Sequence, residues 1–202
     1  MYNKSMARSG ITEKKMRNKR FYKTEYAIFI AYYSFKNYPT AKMLARRAHI
    51  ARSTLYRHHR RTEEIPHDYE ELLVSRYDKY IKKYCLKENF NFRKFFLYLL
   101  VYIVNNRVFF LPLFRDGRDG AIIRMLRHVR PFILDKWHLD GDMEKMYSVY
   151  TNEILGVIET WAKHNFSKKM LGQTLDDIMY LTNSARIKLA PLLESKVTQV
   201  GP

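Results

Sequence analysis

Apolar residues recur along the chain at helical spacing, and no stretch alternates with period two between turn signals, so the expected class is all-α. The first helix is predicted over about 14–37, with Ala27, Ala31, Ser34, Phe35 and Tyr38 on one stripe. Pro39 is expected to end it, because the residue before a proline is pushed out of the helical region. Thr40 then suits an N-cap for a short helix, 41–48, in which Ala41, Leu44, Ala45 and Ala48 share a face. His49 and Ile50 make a tight break before a third short helix, about 52–59. Thr62, Glu63 and Glu64 open a fourth, with Pro66 in its first turn, which runs to about Tyr84. Further helices are expected near 91–106, 119–134, 142–164 and 173–193, with turn-rich breaks at 116–120 and 138–142. The most apolar run, 95–104, is stopped by Asn105, Asn106 and Arg107, short of the roughly 20 residues of a spanning helix. It therefore reads as a buried helix, and no membrane partner is expected. The N-terminal residues lack the apolar core of a secretory signal, so the expected location is cytoplasmic.

Charge changes the picture more than length does. The 202 residues, 47% hydrophobic and 15% aromatic, can fill a core in one or two domains, which excludes overall disorder. A single cysteine, Cys85, excludes an intramolecular disulfide framework and a Cys-rich zinc site, and reads as a small core residue. The net charge is +17, and residues 1–62 carry 14 of it, with 16 Lys and Arg against Glu13 and Glu25. A generally basic protein would spread that excess. The asymmetry points instead to a module facing nucleic acid, joined to a body of another kind.

Within that module the stretch from Tyr38 to Thr62, YPTAKMLARRAHIARSTLYRHHRRT, reads as two short amphipathic helices joined by a tight turn, a helix-turn-helix. In the second helix Leu55 and His59 share one face, with Ile50 approaching from the turn. Ser53, Tyr56, Arg57 and Arg60 fall on the opposite face, which offers only hydrogen-bonding and cationic groups, as a helix in the major groove requires. Arg60 and Arg61 lie just past the helix, in reach of phosphates. The competing reading is an ordinary solvated helix face.

The residues Thr40 to His58 resemble the helix-turn-helix of the TetR family of transcriptional regulators. Thr54, Tyr56 and His58 match the family's Thr-x-Tyr-x-His ending, and Ala45, Ala48 and Ile50 match the preceding helix and turn. Residues 23–28 and Phe35 resemble the family's first helix. His49 stands where the family has a turn glycine, Ala51 where it has a serine N-cap, and His59 where it has phenylalanine. Residues 1–18, basic and without an apolar core, read as a flexible basic arm, and the resemblance implies a DNA-binding domain over 19–65 and a helical effector-binding and dimerisation domain over 66–202. It also implies that Arg52, Ser53 and Arg57 touch base edges while Tyr56, His58 and Arg60 hold phosphates. The expected DNA-contacting set is Lys19, Arg20, Lys23, Thr40, Lys42, Arg52, Ser53, Thr54, Tyr56, Arg57, His58, Arg60 and Arg61.

The resemblance further implies a homodimer on a palindromic operator in double-stranded DNA, formed through the last two long helices. Stripes there include Tyr150, Ile154, Val157 and Trp161 on one helix and Ile178, Thr182, Ala185 and Leu189 on the next. The alternative is that a single chain buries them itself. A small apolar or aromatic effector is expected among Tyr77, Tyr98, Tyr102 and Phe110, although most aromatics in this region must be core. His58 and His59 are adjacent, so their side chains point about 100° apart on a helix, and no metal is expected. No phosphate-binding glycine loop or nucleophile elbow occurs, so neither an enzyme nor a cofactor is expected. The expected function is a repressor released from DNA by its effector. The alternative is a DNA-binding co-activator or chromosome-organising factor controlled by a protein partner.

Overall fold

The turn between the two short helices shows a bend made without glycine. The helix α2, Ala41–Arg47, opens on Thr40, whose side chain accepts a hydrogen bond from the Met43 N–H at 3.3 Å. At its other end the Ile50 N–H reaches back to the Ala45 carbonyl at 3.0 Å and the His49 N–H to that of Arg46 at 3.2 Å. This is a Schellman ending, which needs a left-handed residue at its centre. That residue is His49, with φ of 54°. The helix α3, Arg52–His58, then starts from Ala51, which offers no side-chain cap. The same ending recurs after Phe114, centred on Gly117 at φ 67°, and after Trp161, where Asn165 and Phe166 have φ of 54° and 50°.

This computed structural model describes the backbone of residues 19–84, 90–132 and 144–197, and the side chains of 20–82, 90–132 and 147–184. The expected arm, Cys85 and the break at 138–142 lie outside the described residues, as do the side chains of Lys19, Ala185 and Leu189. The described residues are helical, with no strand among them. The chain divides into two units, Met1–Ser75 and Arg76–Pro202. The division falls inside the helix α4, Ile65–Tyr84, which a short 3-10 turn, Thr62–Glu64, precedes.

In the first unit, α1 (Lys19–Tyr33) stops six residues before Pro39, earlier than the proline rule predicts. A tight last turn ends it, in which Ser34 and Phe35 N–H groups bond the carbonyls of Ala31 and Tyr32. Arg47 then donates to the Ser34 hydroxyl at 3.2 Å. The buried stripe also differs from the predicted one. Glu25, Ile28, Phe29, Ala31 and Tyr32 face inward, while Tyr38 is 76% exposed. Large side chains bury more apolar area than alanine or serine, so Ile28, Phe29 and Tyr32 set the rotation of the helix and carry Glu25 in with them. Leu44 and Leu55 anchor α2 and α3 in the same core.

In the second unit the apolar run forms α5, Phe92–Asn105, capped by Asn91, whose side chain accepts from the Lys94 N–H at 2.9 Å. The run does not simply stop at Asn106. The chain turns by 87° into a further helix, α6 (Arg107–Arg115), which the hydrophobic pattern leaves unassigned. Its Phe109, Phe110 and Leu113 are buried, so packing sustains it despite Pro112 in its interior. No single described helix is long and apolar enough to cross a membrane. The helix α7, Gly120–Leu126, passes into a 3-10 turn, Arg127–Val129.

The last two described helices, α8 (Glu144–Lys163) and α9 (Leu171–Val197), pack on each other. The Tyr150 hydroxyl meets Thr182 Oγ1 at 2.7 Å, and Trp161 Nε1 donates to the Ser167 carbonyl at 2.9 Å. These contacts involve the stripes expected at a dimer face. Tyr150, Ile154, Trp161, Ile178 and Thr182 are buried within their own chain, and Val157 is half-buried. A helical hairpin has the first claim on its own apolar stripes, because the connection makes their pairing intramolecular.

Two substitutions test the turn. His49→Gly should relieve the side-chain cost of the left-handed conformation and Ala51→Ser should supply the missing cap, each by about 1 kcal/mol. Both should raise the midpoint of urea unfolding; a fall in either would mean that the turn is held by other forces.

Candidate nucleic-acid interface

The exposed face of α3 carries Arg52, Ser53, Tyr56 and Arg57, with Tyr56 50% exposed. Its opposite face carries Leu55, 1% exposed, and leads into His58 and His59, 5% and 1% exposed. Thr40, Lys42, Arg20, Lys23, Arg60 and Arg61 are all exposed, and Thr54 is half-buried. A cleft of about 580 Å³ lies beside α3, lined by Arg20 and Thr24 of α1 and by Thr54, Arg57 and His58. It brings Arg20, Thr54, Arg57 and His58 of the expected set together; Lys23, Thr40, Lys42, Arg60 and Arg61 do not line it.

His58 departs from expectation. In place of an open flank position it has a buried ring, stacked on Phe21 with centroids 4.5 Å apart, and its Nδ1 lies 2.6 Å from Glu25 Oε1. The second oxygen of Glu25 lies 3.1 Å from His59 Nε2, and His59 Nδ1 lies 2.7 Å from Asp68 Oδ2. The Tyr69 hydroxyl donates to the backbone carbonyl of Glu25. One buried network thus ties the end of α3 to α1 through Glu25 and to the first turns of α4 through Asp68 and Tyr69.

The protonation of this network follows from its geometry. A carboxylate only accepts hydrogen bonds, so His59, with a carboxylate on each nitrogen, must carry both protons and a positive charge. Burial works against that charge, but the hydrogen bonds to Asp68 and Glu25 prevail and raise His59 from 6.5 to about 9. Burial would likewise raise Glu25, but the hydrogen bonds from His58 and His59 outweigh it and lower Glu25 from 4.5 to about 2. Tyr69, fully enclosed beside Glu25, is pushed well above its usual range, first by burial. The ring nitrogens that meet these carboxylates are therefore committed, and no group of three or more metal-ligating side chains among the described residues could hold an ion.

No protein family, curated protein or solved structure matches this chain. The functional reading therefore rests on the residues themselves.

Glu25, Asp68 and Tyr69 escaped the sequence reading. A signal existed: Glu25 is one of two acids among the first 62 residues and lies four after Phe21, on the face that Ile28 and Phe29 bury. Of the expected effector residues, Tyr77 and Phe110 are buried and Tyr98 and Tyr102 half-buried. Tyr77 lies 5.3 Å from Tyr102, and Tyr102 lies 6.1 Å from Phe110, centroid to centroid, while Tyr98 pairs with Tyr80 at 5.4 Å. None of the four lines the cleft beside α3 or a second cleft, of about 410 Å³, in the other unit.

The network gives stability a definite pH window. His59 is raised in the fold, so its contribution is complete below pH 6.5 and is lost as pH climbs through about 9. Glu25 is lowered, so its contribution is complete above pH 4.5 and is lost as pH falls through about 2. Unfolding midpoints should therefore fall on the alkaline side as His59 loses its proton. His59→Gln should cost about 3–5 kcal/mol, by leaving two buried carboxylates without their cation, and should remove that alkaline loss. An alkaline limb that persists in the variant would assign it to another group.

Proposed function

We propose that the first unit is a DNA-binding helix-turn-helix, and that the protein is a homodimeric transcriptional regulator of TetR-like type, a repressor that a small effector releases from a palindromic operator. The observation that carries this reading is the division of α3. Its outward face presents Arg52, Ser53, Tyr56 and Arg57, while Leu55, His58 and His59 hold the other face in the core. A guanidinium can bond guanine O6 and N7 together, and a hydroxyl can serve several base edges, so Arg52, Ser53 and Arg57 would read sequence. Tyr56, Arg60 and Arg61 would grip phosphates, with Thr40 and Lys42 at the start of α2 and Arg20 and Lys23 on α1 adding backbone contacts. The charge excess of residues 1–62 supports the same partner.

In this reading two copies bring their α3 helices into successive major grooves, about 34–36 Å apart. The dimer would form on the outer faces of α8 and α9, where Val149 and Tyr180 are 59% and 73% exposed. The second cleft, with Leu111 and Phe114 beside Arg115, Glu159 and Lys163, would offer an effector an apolar surface flanked by charges of both signs.

The test is competition binding at fixed salt, using a duplex that the protein selects from random sequence and a scrambled control. Arg57→Ala should cost about 1–3 kcal/mol on the selected duplex and relax the preference at one base pair per half-site. Tyr56→Phe should weaken both duplexes alike, by about 1 kcal/mol. Equal losses on both duplexes for Arg57→Ala would remove it from sequence reading, and failure to select any duplex would overturn the proposal.

A further inference from the structure

The cleft between the end of α6 and the end of α8 carries charges that the fold does not use. Its apolar lining comes from Leu111 and Phe114 of α6 and Ala162 of α8. Arg115, Glu159 and Lys163 line it too, and all three are exposed. Glu159 and Lys163 stand four residues apart on one helix, the spacing and order at which such a pair closes most readily. Yet neither they nor Arg115 forms an ion pair or a side-chain hydrogen bond among the described residues. The backbone around them is fixed by packing. Phe114 meets Phe166 edge-on with ring centroids 5.6 Å apart, and Phe166 meets Trp161 at 5.1 Å. The buried Phe166 ring holds the chain after α8 in its left-handed turn, where the Phe166 N–H reaches the Trp161 carbonyl at 3.1 Å. That turn places Asn165 in the lining, with an amide that can both donate and accept. A site built in advance takes a guest at little ordering cost.

The charges decide which guest fits. An acid with an apolar body would meet Arg115 and Lys163 but also Glu159. An amine would meet Glu159 but also two cations. An uncharged apolar molecule would strip water from all three and return no partner. A molecule that carries both charges beside an apolar body answers each of them. The volume of about 410 Å³ lies in the lower part of the range for small-molecule sites. We propose that this cleft binds an amino acid with an apolar side chain. Its carboxylate would lie on Arg115 and Lys163, its ammonium on Glu159, and its side chain against Leu111 and Phe114. The inference rests on the reading of this cleft as an effector site and names the chemistry of the effector.

The experiment titrates L-phenylalanine and L-leucine into the full chain and follows the backbone amide signals of Asn165 and Phe166 by NMR. Each is compared with the acid that lacks its ammonium (hydrocinnamate, isocaproate) and the amine that lacks its carboxylate (phenethylamine, isoamylamine), and both with glycine, which lacks the apolar body. At least one of the two amino acids should shift these signals saturably and bind at least about tenfold more tightly than its acid, its amine or glycine. Glu159→Gln should abolish the advantage over the acid, and Arg115→Gln with Lys163→Gln the advantage over the amine. These side chains are exposed, so the variants should keep the fold. No saturable shift with either amino acid, an acid, amine or glycine that binds as tightly, or an advantage over the acid that survives Glu159→Gln overturns the inference. The effector role is read separately, by adding the bound amino acid to the complex with the selected duplex. Occupation of the cleft without release of the duplex sustains the inference and removes the effector role. Occupation in a chain that selects no duplex also sustains it, and the DNA reading then falls alone.

Discussion

A carboxylate withdrawn from water must be neutralised or surrounded by donors, and Glu25 is surrounded. Both of its oxygens face imidazoles, and its backbone carbonyl takes the Tyr69 hydroxyl. The desolvation cost of such a group is several kcal/mol, so the geometry around it is exacting: any loss of a partner leaves a buried charge exposed to that cost in full. The three partners come from two other elements, His58 and His59 from the end of α3 and Tyr69 from α4. Satisfying one residue, side chain and backbone carbonyl together, therefore fixes the relative placement of α1, α3 and the start of α4.

That constraint explains how a seven-residue helix without an N-cap is held. The helix α3 begins at Ala51, which offers no oxygen to its free N–H groups, and is too short to be stable alone. It is secured from its far end, by Leu55 in the core and by the histidine pair in the network. The arrangement keeps the outward face free of structural duty. Arg52, Ser53, Tyr56 and Arg57 need make no contact within the unit for the helix to form, so their identity is open to a ligand.

The second unit is built on a different principle. Its core is aromatic and aliphatic, and polar groups inside it act singly, as Tyr150 does with Thr182 and Trp161 with Ser167. Phe166 is fully buried against Trp161 and Phe114 although its φ is 50°, so the packing of its ring offsets the strain of its backbone. Tyr77, Tyr102 and Phe110 fill space against one another. Aromatic density along a sequence marks where a core forms; it does not say whether the rings close on each other or leave room for a guest.

Helical period, the Thr40 cap, the Pro66 position and the opposed faces of α3 were all legible along the chain, because each depends on residues within a few positions of one another. The left-handed conformation at His49 follows from its place in the resembled motif, where the family has a turn glycine. What sits across from a side chain is a different kind of information. The rotation of α1 that buries Glu25, the 87° turn into α6, and the mutual burial of the α8 and α9 stripes were each decided by surfaces brought together from distant sequence. The role of His58 shows the difference most sharply. Its position in the motif predicts an accessible hand-hold, but a carboxylate 33 residues earlier claims one nitrogen and sets the tautomer of the other. Local spacing determines which face of a helix a residue occupies, and only tertiary packing determines which charges it meets there.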